Sequence, residues 1–303
     1  MRLVKRTLSV ILTMVLVAAC CSVCYAEDTL KIVCTSFPCY DFIRAVAGER
    51  AQIQLLIKPG SEVHSFEPTP ADVMAIAGCD LFIYIGGESD AWVMDILDSF
   101  GKAAPKGLRF FDCVEGIETE DEHNHGEHEY DEHIWTSPAN ARAMIGLLAS
   151  VLREIDPAYA DFYEQNAQIY DAQIDHLDAQ IADIIENAAR REMIFADRFP
   201  FLYFAREYKL EWYAAFPSCS SESEPSAKTI ATLIDKVKSD GVPVVYTLEM
   251  SNGKTAQTIA DETGAKVLTF HSIQNVTEAD FSAGETYITL MQKNIEALRE
   301  GLN

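Results

Sequence analysis

The chain has 303 residues, 49% of them hydrophobic, which is enough for two domains of ordinary size, each with its own core. Its formal charge at pH 7 is −23, and residues 1–26 carry three basic residues and no acidic one, so the remainder carries −26. Such an acidic chain repels nucleic acid and anionic lipid; the composition therefore excludes a nucleic-acid-binding role and is compatible with attraction of cations.

Residues 1–26 have the pattern of an export signal. A basic start is followed by an apolar run over residues 8–19 that is too short for a membrane span. Two cleavage sites fit this segment. The sequence before Cys20 is like a lipobox, in which Cys20 becomes a lipid-modified N-terminus, and the sequence ending at Ala26 is like an ordinary signal-peptidase site. By analogy we favour the lipobox, and we expect an extracytoplasmic protein held at the membrane surface through Cys20.

Strand patterns alternate with helix patterns after this segment. Apolar, partly β-branched runs predict strands over residues 30–35, 51–57 and 81–85, and helices are predicted over residues 40–47 and 70–76. This alternation predicts an α/β lobe with a mostly parallel sheet flanked by helices. In such sheets ligands bind beyond the carboxyl ends of the strands.

The composition changes sharply between residues 115 and 133. This stretch has nine acidic residues, no large aliphatic residue after Ile117 and, before His133, the histidines His123, His125 and His128. It cannot bury a core, which predicts a mobile surface loop. Several imidazoles and carboxylates on a flexible chain can collect zinc weakly, so one interpretation is an auxiliary metal-binding loop. The other is a solvated acidic loop with incidental histidines.

The longest periodic segment follows. From residue 159 to about 188, apolar residues recur at steps of three and four, which predicts one continuous amphipathic helix on the order of 45 Å long. Such a helix suits a rigid backbone joining two lobes; the alternative is a long helix within a bundle. We therefore divide the chain into an N-terminal lobe over 27–158, a linker helix over 159–189 and a C-terminal lobe over 190–303.

The C-terminal lobe has the same alternating pattern as the first. We predict strands over residues 193–195, 242–247 and 266–270, and helices over residues 230–238, 254–263 and 285–302. The two lobes show no obvious sequence repetition.

Three histidines lie where such a fold places ligands. His64 is in a loop between a predicted strand and a helix, His133 ends the acidic loop, and His271 follows a predicted strand. These side chains can converge in one cleft between the lobes. Three imidazole nitrogens suit Zn(II) better than calcium or magnesium, which prefer oxygen, and we expect Mn(II) less than zinc.

Two motifs in this chain resemble the metal-ligand motifs of a known family. Residues 64–70 (HSFEPTP) and 131–138 (DEHIWTSP) resemble those of the zinc/manganese solute-binding proteins of ABC importers, the ZnuA-like cluster A-I group. The long helix resembles the family's linker helix, and the resemblance covers nearly all of the chain after Ala26. It implies a monomer that captures a metal ion between two lobes and delivers it to the membrane subunits of an ABC permease.

The family's metal site has four ligand positions, and this chain departs from it at two. His64 and His133 match the first two, while the third position falls on Arg198, whose guanidinium cannot ligate a metal. The fourth, commonly aspartate, falls on His271. We expect a three-histidine site completed by water or a nearby carboxylate, unless a shifted alignment makes Asp197 a ligand.

Three further residues are expected around the metal ligands. Arg198 either pairs with Glu249 or holds a carboxylate near the metal. Glu67, inside the first motif, is a further candidate in contact with the site.

Two alternatives belong to other functional classes. Zinc held by three histidines with an open water position is a catalytic arrangement, so a secreted zinc hydrolase with Glu67 as base is one alternative. The sequence has no His-Glu-x-x-His helix and no nucleophile elbow, which favours a binding protein without catalysis. A metal-binding surface adhesin is the other alternative.

Cysteine pairing is left open by the sequence. In an exported protein some thiols pair, and five cysteines follow the export signal: Cys34, Cys39, Cys79, Cys113 and Cys219.

Overall fold

The structure is a computed structural model that describes residues 29–118, 130–216 and 225–303. The predicted export signal with Cys20, the loop histidines His123, His125 and His128, and Cys219 lie outside these ranges.

Two parallel sheets organise the described residues. The strands are β1 Leu30–Cys34, β2 Ala51–Leu55, β3 Leu81–Tyr84, β4 Lys106–Arg109, β5 Glu192–Phe195, β6 Glu211–Ala214, β7 Val244–Thr247 and β8 Lys266–Thr269. Their order is β2-β1-β3-β4 in the first sheet and β6-β5-β7-β8 in the second, with every pairing parallel. The lobes therefore repeat one arrangement, and the predicted α/β architecture with two mostly parallel sheets is confirmed.

Helices cover both sheets, as parallel connections require. They are α1 Phe37–Ala47, α2 Pro70–Ala77, α3 Trp92–Phe100, α4 Pro138–Ile155, α5 Ala160–Glu186, α6 Leu202–Tyr208, α7 Ala227–Asp240, α8 Lys254–Thr263, α9 Glu278–Ala283 and α10 Tyr287–Leu302.

The 27-residue helix α5 is the predicted linker helix. It packs against α1 and α4 of the first lobe and against α10 of the second. Its buried face follows the predicted spacing of three and four residues, with the additional Ile185 at the end: Tyr163, Ala167, Tyr170, Ile174, Leu177, Ile181, Ile184 and Ile185. One rigid element therefore runs through the core shared by both lobes.

A buried carboxylate ties three helices together beside this linker. Asp41 on α1 accepts hydrogen bonds from the Tyr170 hydroxyl of α5 at 2.5 Å and from the backbone N–H of Tyr287 on α10 at 2.8 Å. Arg44 pairs with the same carboxylate and donates to the carbonyl of Glu285 at 2.6 Å. The first lobe, the linker and the last helix thus share one polar junction.

A second contact between the lobes involves the loop after β2. The Asn275 side chain donates to the carbonyls of Lys58 at 2.9 Å and Ser61 at 2.8 Å, and the N–H of Gly60 donates to the carbonyl of Val276 at 2.7 Å. Asn275 is 1% exposed. The loop is therefore held by the opposite lobe.

The cysteines of the described ranges, Cys34, Cys39, Cys79 and Cys113, are free thiols. Among these same residues, no helix combines the length and the apolarity that crossing a bilayer demands.

Candidate metal site

The His64 loop is fixed at its far end by the start of α2. Thr69 is the N-cap of that helix: its hydroxyl accepts a bond from the Asp72 N–H at 3.3 Å, and the Asp72 carboxylate accepts one from the Thr69 N–H at 2.8 Å. Pro70 occupies the first turn, where its fixed φ suits a helix. With Asn275 holding the near end, the loop carries His64 in a set position.

The second histidine is almost fully enclosed. Asp131 accepts hydrogen bonds from the backbone N–H of His133 at 2.9 Å and from its ring Nδ1 at 3.2 Å. A carboxylate only accepts, so Nδ1 carries the proton and Nε2 is the ring nitrogen that can coordinate a metal. This carboxylate–imidazole pairing is the usual support for a metal-bound histidine.

Trp135 holds the same segment from the other side. Its indole ring lies edge-on to the His133 ring, with centroids 5.4 Å apart, and its Nε1–H donates to the carbonyl of Ser272 in the second lobe at 2.8 Å. Ser137 then caps α4 by accepting a bond from the Asn140 N–H. The motif at 131–138 therefore positions His133 through both lobes.

Glu132 completes the cluster, although the sequence analysis did not single it out. Its Oε1 accepts from the Ser89 hydroxyl at 2.5 Å, and its Oε2 accepts from the Ser89 N–H at 2.8 Å. Because Ser89 donates its proton to Glu132, it accepts from Nδ1 of His64, 2.9 Å away. This order of donors makes Nε2, which lies 3.5 Å from the Gln274 amide nitrogen, the ring nitrogen through which His64 would coordinate a metal.

The Gly86-Gly87 turn makes room for Glu132. A Cβ on Gly87 would lie 2.2 Å from Cβ of Glu132 and 2.6 Å from its Oε2. The turn is fixed by Asp90, which accepts bonds from the N–H groups of Ile85 at 2.7 Å and Gly86 at 3.1 Å. Burial, with a smaller effect of the neighbouring Glu132 carboxylate, raises the pKa of Asp90 to about 6, although these hydrogen bonds lower it.

Together these residues form a metal-binding constellation. His64, Glu132 and His133 each offer one ligand atom within 4.8 Å of the others. Tetrahedral zinc with Zn–N distances of about 2.1 Å needs ligands about 3.4 Å apart, so modest closure suffices. The His64 side chain is 26% exposed, whereas those of Glu132 and His133 are 6% and 1% exposed. An ion can therefore enter past His64 and meet two preorganised ligands.

The cleft in front of these residues is lined by both lobes. Arg198, Asp197 and Glu249 line it from the second lobe, opposite His64 and His133. Asp197, at the end of β5, accepts bonds from its neighbours: Oδ1 from the Arg198 N–H, and Oδ2 from the Thr247 hydroxyl. Asp197 is thus used to hold the second-lobe wall.

Glu249, like Asp197, holds the second-lobe side of the cleft in place through hydrogen bonds. Its carboxylate accepts bonds from the Ser272 N–H at 2.9 Å, the Ser272 hydroxyl at 2.8 Å and the Ile273 N–H at 3.1 Å. Burial raises its pKa, and these bonds oppose the increase. Glu249 therefore fixes the segment after β8.

Gln274, on that segment, reaches across to the first lobe. Its amide nitrogen donates to Oε1 of Glu132 at 3.0 Å and lies 3.5 Å from Nε2 of His64. Gln274 is not recognisable in the sequence, where its only signal is its place three residues after His271.

The cluster formed by His64, Glu132 and His133 does not include His271, and the expected three-histidine site stays a prediction. The cleft is lined by Ser272 and Gln274, whereas His271 lies outside it. Its backbone is held by Asn294 of α10, through bonds of 2.6 and 2.8 Å. The segment after β8 turns at Ile273, whose φ is 61°, and Ser272 and Gln274 on either side of this turn line the cleft.

The surroundings of His271 agree with this position. Burial lowers its pKa, Lys293 lowers it further, and Asp280 and Glu285 raise it. All three charged neighbours belong to α9, α10 or the turn between them. His271 is therefore a packing residue of the last helices in this structure.

Glu67 also lies away from the cleft. It is exposed in the His64 loop and is not among the residues that line the cavity. The expected contact of Glu67 with the site is therefore not formed in the structure.

Comparison with known proteins agrees with the motifs. Residues 32–301 match the ZnuA family model, described as "Zinc-uptake complex component A periplasmic". The chain is 32% identical to the zinc-binding lipoprotein AdcA of Streptococcus pneumoniae R6, over 93% of this chain and 58% of that protein. It is also 32% identical to the high-affinity zinc uptake system protein ZnuA of Bacillus subtilis, over 91% and 88%. The chain thus spans little more than half the length of the AdcA protein.

Solved structures give the same result. The metal-dependent lipoprotein YcdH of B. subtilis has a TM-score of 0.80 at 28% identity, covering 91% of this chain and 100% of that one. The Zn(II)-bound ZnuA-like domain of S. pneumoniae AdcA has a TM-score of 0.77 at 30% identity, covering 90% and 99%. The laminin-binding protein Lmb of Streptococcus agalactiae, described as having adhesin and metal-transporting activity, has a TM-score of 0.78 at 26% identity, covering 90% and 100%.

The match to the family model covers almost all of the described chain, and both histidine motifs fall within it. This protein therefore belongs to the ZnuA family.

Proposed function

We propose that this protein captures Zn(II) in the cleft between its lobes and delivers it to the membrane subunits of an ABC importer, without catalysing a reaction. The observation that carries the proposal is the convergence of His64, Glu132 and His133 at the mouth of the cleft. Two imidazoles and one carboxylate are a donor set that zinc accepts, and each Nδ1 is bonded to a neighbour, so each ring would coordinate the ion through Nε2.

Zinc is favoured over manganese by the donor chemistry. Imidazole suits zinc, whereas manganese is better served by carboxylate, carbonyl and water oxygens. The names of the two zinc-binding relatives support the same choice.

The location follows from family and composition. The family description and the lipoprotein relative support an extracytoplasmic protein, and we propose that Cys20 carries the lipid that holds it at the membrane. The strongly acidic body would concentrate cations near the cleft while it keeps nucleic acid away. The loop histidines His123, His125 and His128 are proposed to collect zinc for the cleft.

The alternative functions are less favoured. A hydrolase would need a base aimed at metal-bound water, and Glu67, the residue considered for that role, is exposed outside the cleft. The description of Lmb pairs adhesion with metal transport, so an adhesive role would accompany metal capture and would not replace it.

Calorimetric titration of residues 27–303 with zinc tests the proposal. We expect one tight site that is lost in a His64→Ala/His133→Ala variant, and weaker sites that are lost when residues 119–129 are deleted. His176→Ala, which removes an exposed histidine of α5, is the matched control and should bind as the native protein does. A native protein without a tight site would contradict the proposal, as would normal zinc import by cells that lack the gene.

A further inference from the structure

One side chain of the second lobe lies against two of the three metal-binding residues. The amide nitrogen of Gln274 is 3.0 Å from Oε1 of Glu132 and 3.5 Å from Nε2 of His64. A carboxylate only accepts, so the part of the amide that meets Glu132 is its NH2 group and not its oxygen. This group has two hydrogens, one for each of the two acceptors.

These bonds complete a closed ring of four side chains. Nδ1 of His64 donates to the Ser89 hydroxyl, which donates in turn to Oε1 of Glu132. Nε2 is then the accepting nitrogen of the His64 ring, and the Gln274 amide donates both to it and to Glu132. The ring of bonds therefore holds two metal-binding side chains in place through their own hydrogen bonds.

A zinc ion and this ring of bonds cannot share His64. An imidazole with its proton on Nδ1 has one lone pair, on Nε2, which either accepts an N–H bond or binds a metal. Oε1 of Glu132 accepts from both Ser89 and Gln274, which uses its two lone pairs as well. Zinc that binds Nε2 of His64 must therefore displace the Gln274 amide.

The backbone around Gln274 is fixed on both sides. Glu249 accepts bonds from the N–H groups of the two residues before it, and Asn275 is bonded to the loop of the first lobe. The side chain itself is half-buried and lines a cavity with an empty volume, open mouth included, of about 600 Å³. The amide can therefore leave by side-chain rotation, without a change of the backbone.

The amide competes with a cation without changing the charge of the cleft. The charged side chains that line the cavity are the carboxylates Glu62, Asp197 and Glu249 and the guanidinium of Arg198. Carboxylates are the majority, so the lining attracts a dication. A lysine at position 274 would donate similar bonds but repel that ion, whereas a neutral amide does not.

We propose that the Gln274 amide competes with zinc for His64 and Glu132: it holds both side chains in ligand geometry, moves aside when zinc binds and returns as zinc leaves. This inference rests on the proposed function of the same cleft. Gln274 thereby weakens zinc binding and speeds zinc release, which suits a protein that must pass its cargo on.

The first test compares zinc affinity, from chelator competition, with the rate at which bound zinc passes to an excess of chelator. Gln274→Ala should bind zinc at least threefold more tightly and release it more slowly by a similar factor. The reason is that zinc no longer displaces two hydrogen bonds, while Ser89 still orients both ligands. Gln257→Ala, which removes an exposed amide of α8 in the same lobe, should behave as the native protein does.

Crystals of the native protein, grown with and without zinc, give a second test that needs no variant. Without zinc, the Gln274 amide nitrogen should lie within hydrogen-bond distance of Glu132 and His64. With zinc, it should have moved away from both, while the backbone of Gln274 keeps its position.

The contrary outcomes are distinct. If Gln274→Ala binds zinc less tightly than the native protein, Gln274 is a ligand or a support of the ligands, and the inference fails while the proposed function stands. Unchanged affinity and release rate in this variant, or an amide that stays beside His64 in the zinc-loaded crystals, also contradicts it. If the native protein has no zinc site in the cleft, the inference fails together with the proposed function.

Discussion

At the scale of single residues, the site depends on partners that orient the ligands. His133 is 1% exposed and its Nδ1 is bonded to Asp131, so the carboxylate fixes both the ring and the proton. The ring of His64 is oriented in a similar way, because its Nδ1 is bonded to Ser89, which is bonded in turn to Glu132. The lone pairs that can bind a metal are therefore set before the metal arrives.

Asp131→Asn tests this support. The neutral amide is a weaker acceptor for Nδ1 and lowers the basicity of the ring, so zinc affinity should fall about tenfold or more. Chelator competition measures the change, with the exposed Asp95→Asn of α3 as the matched control. An unchanged affinity in Asp131→Asn would show that His133 needs no such partner.

His271 gives a second residue-level prediction, from its lowered pKa. As pH falls below about 6.5, the His271 imidazole becomes protonated in the unfolded chain. In the folded protein the same ring stays neutral, because its pKa is lower there. The contribution of His271 to the unfolding free energy is therefore complete above about pH 6.5. It is lost as pH falls from about 6.5 toward the pKa that His271 has in the folded protein. His271→Gln should flatten the pH dependence of the unfolding free energy in that window and leave zinc affinity unchanged. A large loss of zinc affinity would restore the three-histidine site.

Residue identities were only partly predictable from the sequence. His64 and His133 could be found because each sits in a recognisable motif at a predicted strand or loop end. Glu132 and Gln274 could not, because their roles depend on the turn at Gly87 and on a contact between lobes. The role of His271 stays a prediction, because the turn at Ile273, whose φ is 61°, is a feature that the sequence does not reveal.

At the scale of elements, the Gly86-Gly87 turn after β3 is a steric requirement of the site. Gly87→Ala places a methyl group against Cβ of Glu132, an atom that cannot move without its backbone. We expect Glu132 to be displaced and zinc affinity to fall. Gly146→Ala in α4 is the control, since its Cβ meets nothing within 4 Å and alanine favours a helix. Equal zinc binding by both variants would contradict the steric account.

Elements were predictable where they are buried and periodic. Helix α5 was predicted from its apolar spacing and α8 from its pattern, because packing alone decides them. Strands β4 and β6 were missed: both are four-residue edge strands, and β6 has no fully buried residue. These strands are defined by backbone hydrogen bonds to a central strand, and the types of their side chains give little indication of that pairing.

At the scale of the whole molecule, polar junctions between the lobes define the cleft. Asn275 holds the His64 loop from the second lobe, and Asp41 joins α1, α5 and α10. We therefore expect the cleft to open only slightly, with metal exchange through small movements around His64 and Gln274.

Asp41→Asn tests the larger junction. The amide cannot satisfy the Tyr170 hydroxyl, the Tyr287 N–H and Arg44 together, so the unfolding free energy should drop by about 2–3 kcal/mol. Denaturant unfolding measures this, with the exposed Asp235→Asn of α7 as the control. A loss no larger than that of the control would mean that apolar packing along α5 alone holds the lobes.

The central claim is that zinc binds between His64, Glu132 and His133. Anomalous scattering at the zinc absorption edge, from crystals of the zinc-loaded protein, locates the ion directly. The account predicts one strong peak in the cleft, within ligand distance of Nε2 of His64, Nε2 of His133 and a Glu132 oxygen. A strong peak at His271, or none in the cleft, would contradict it.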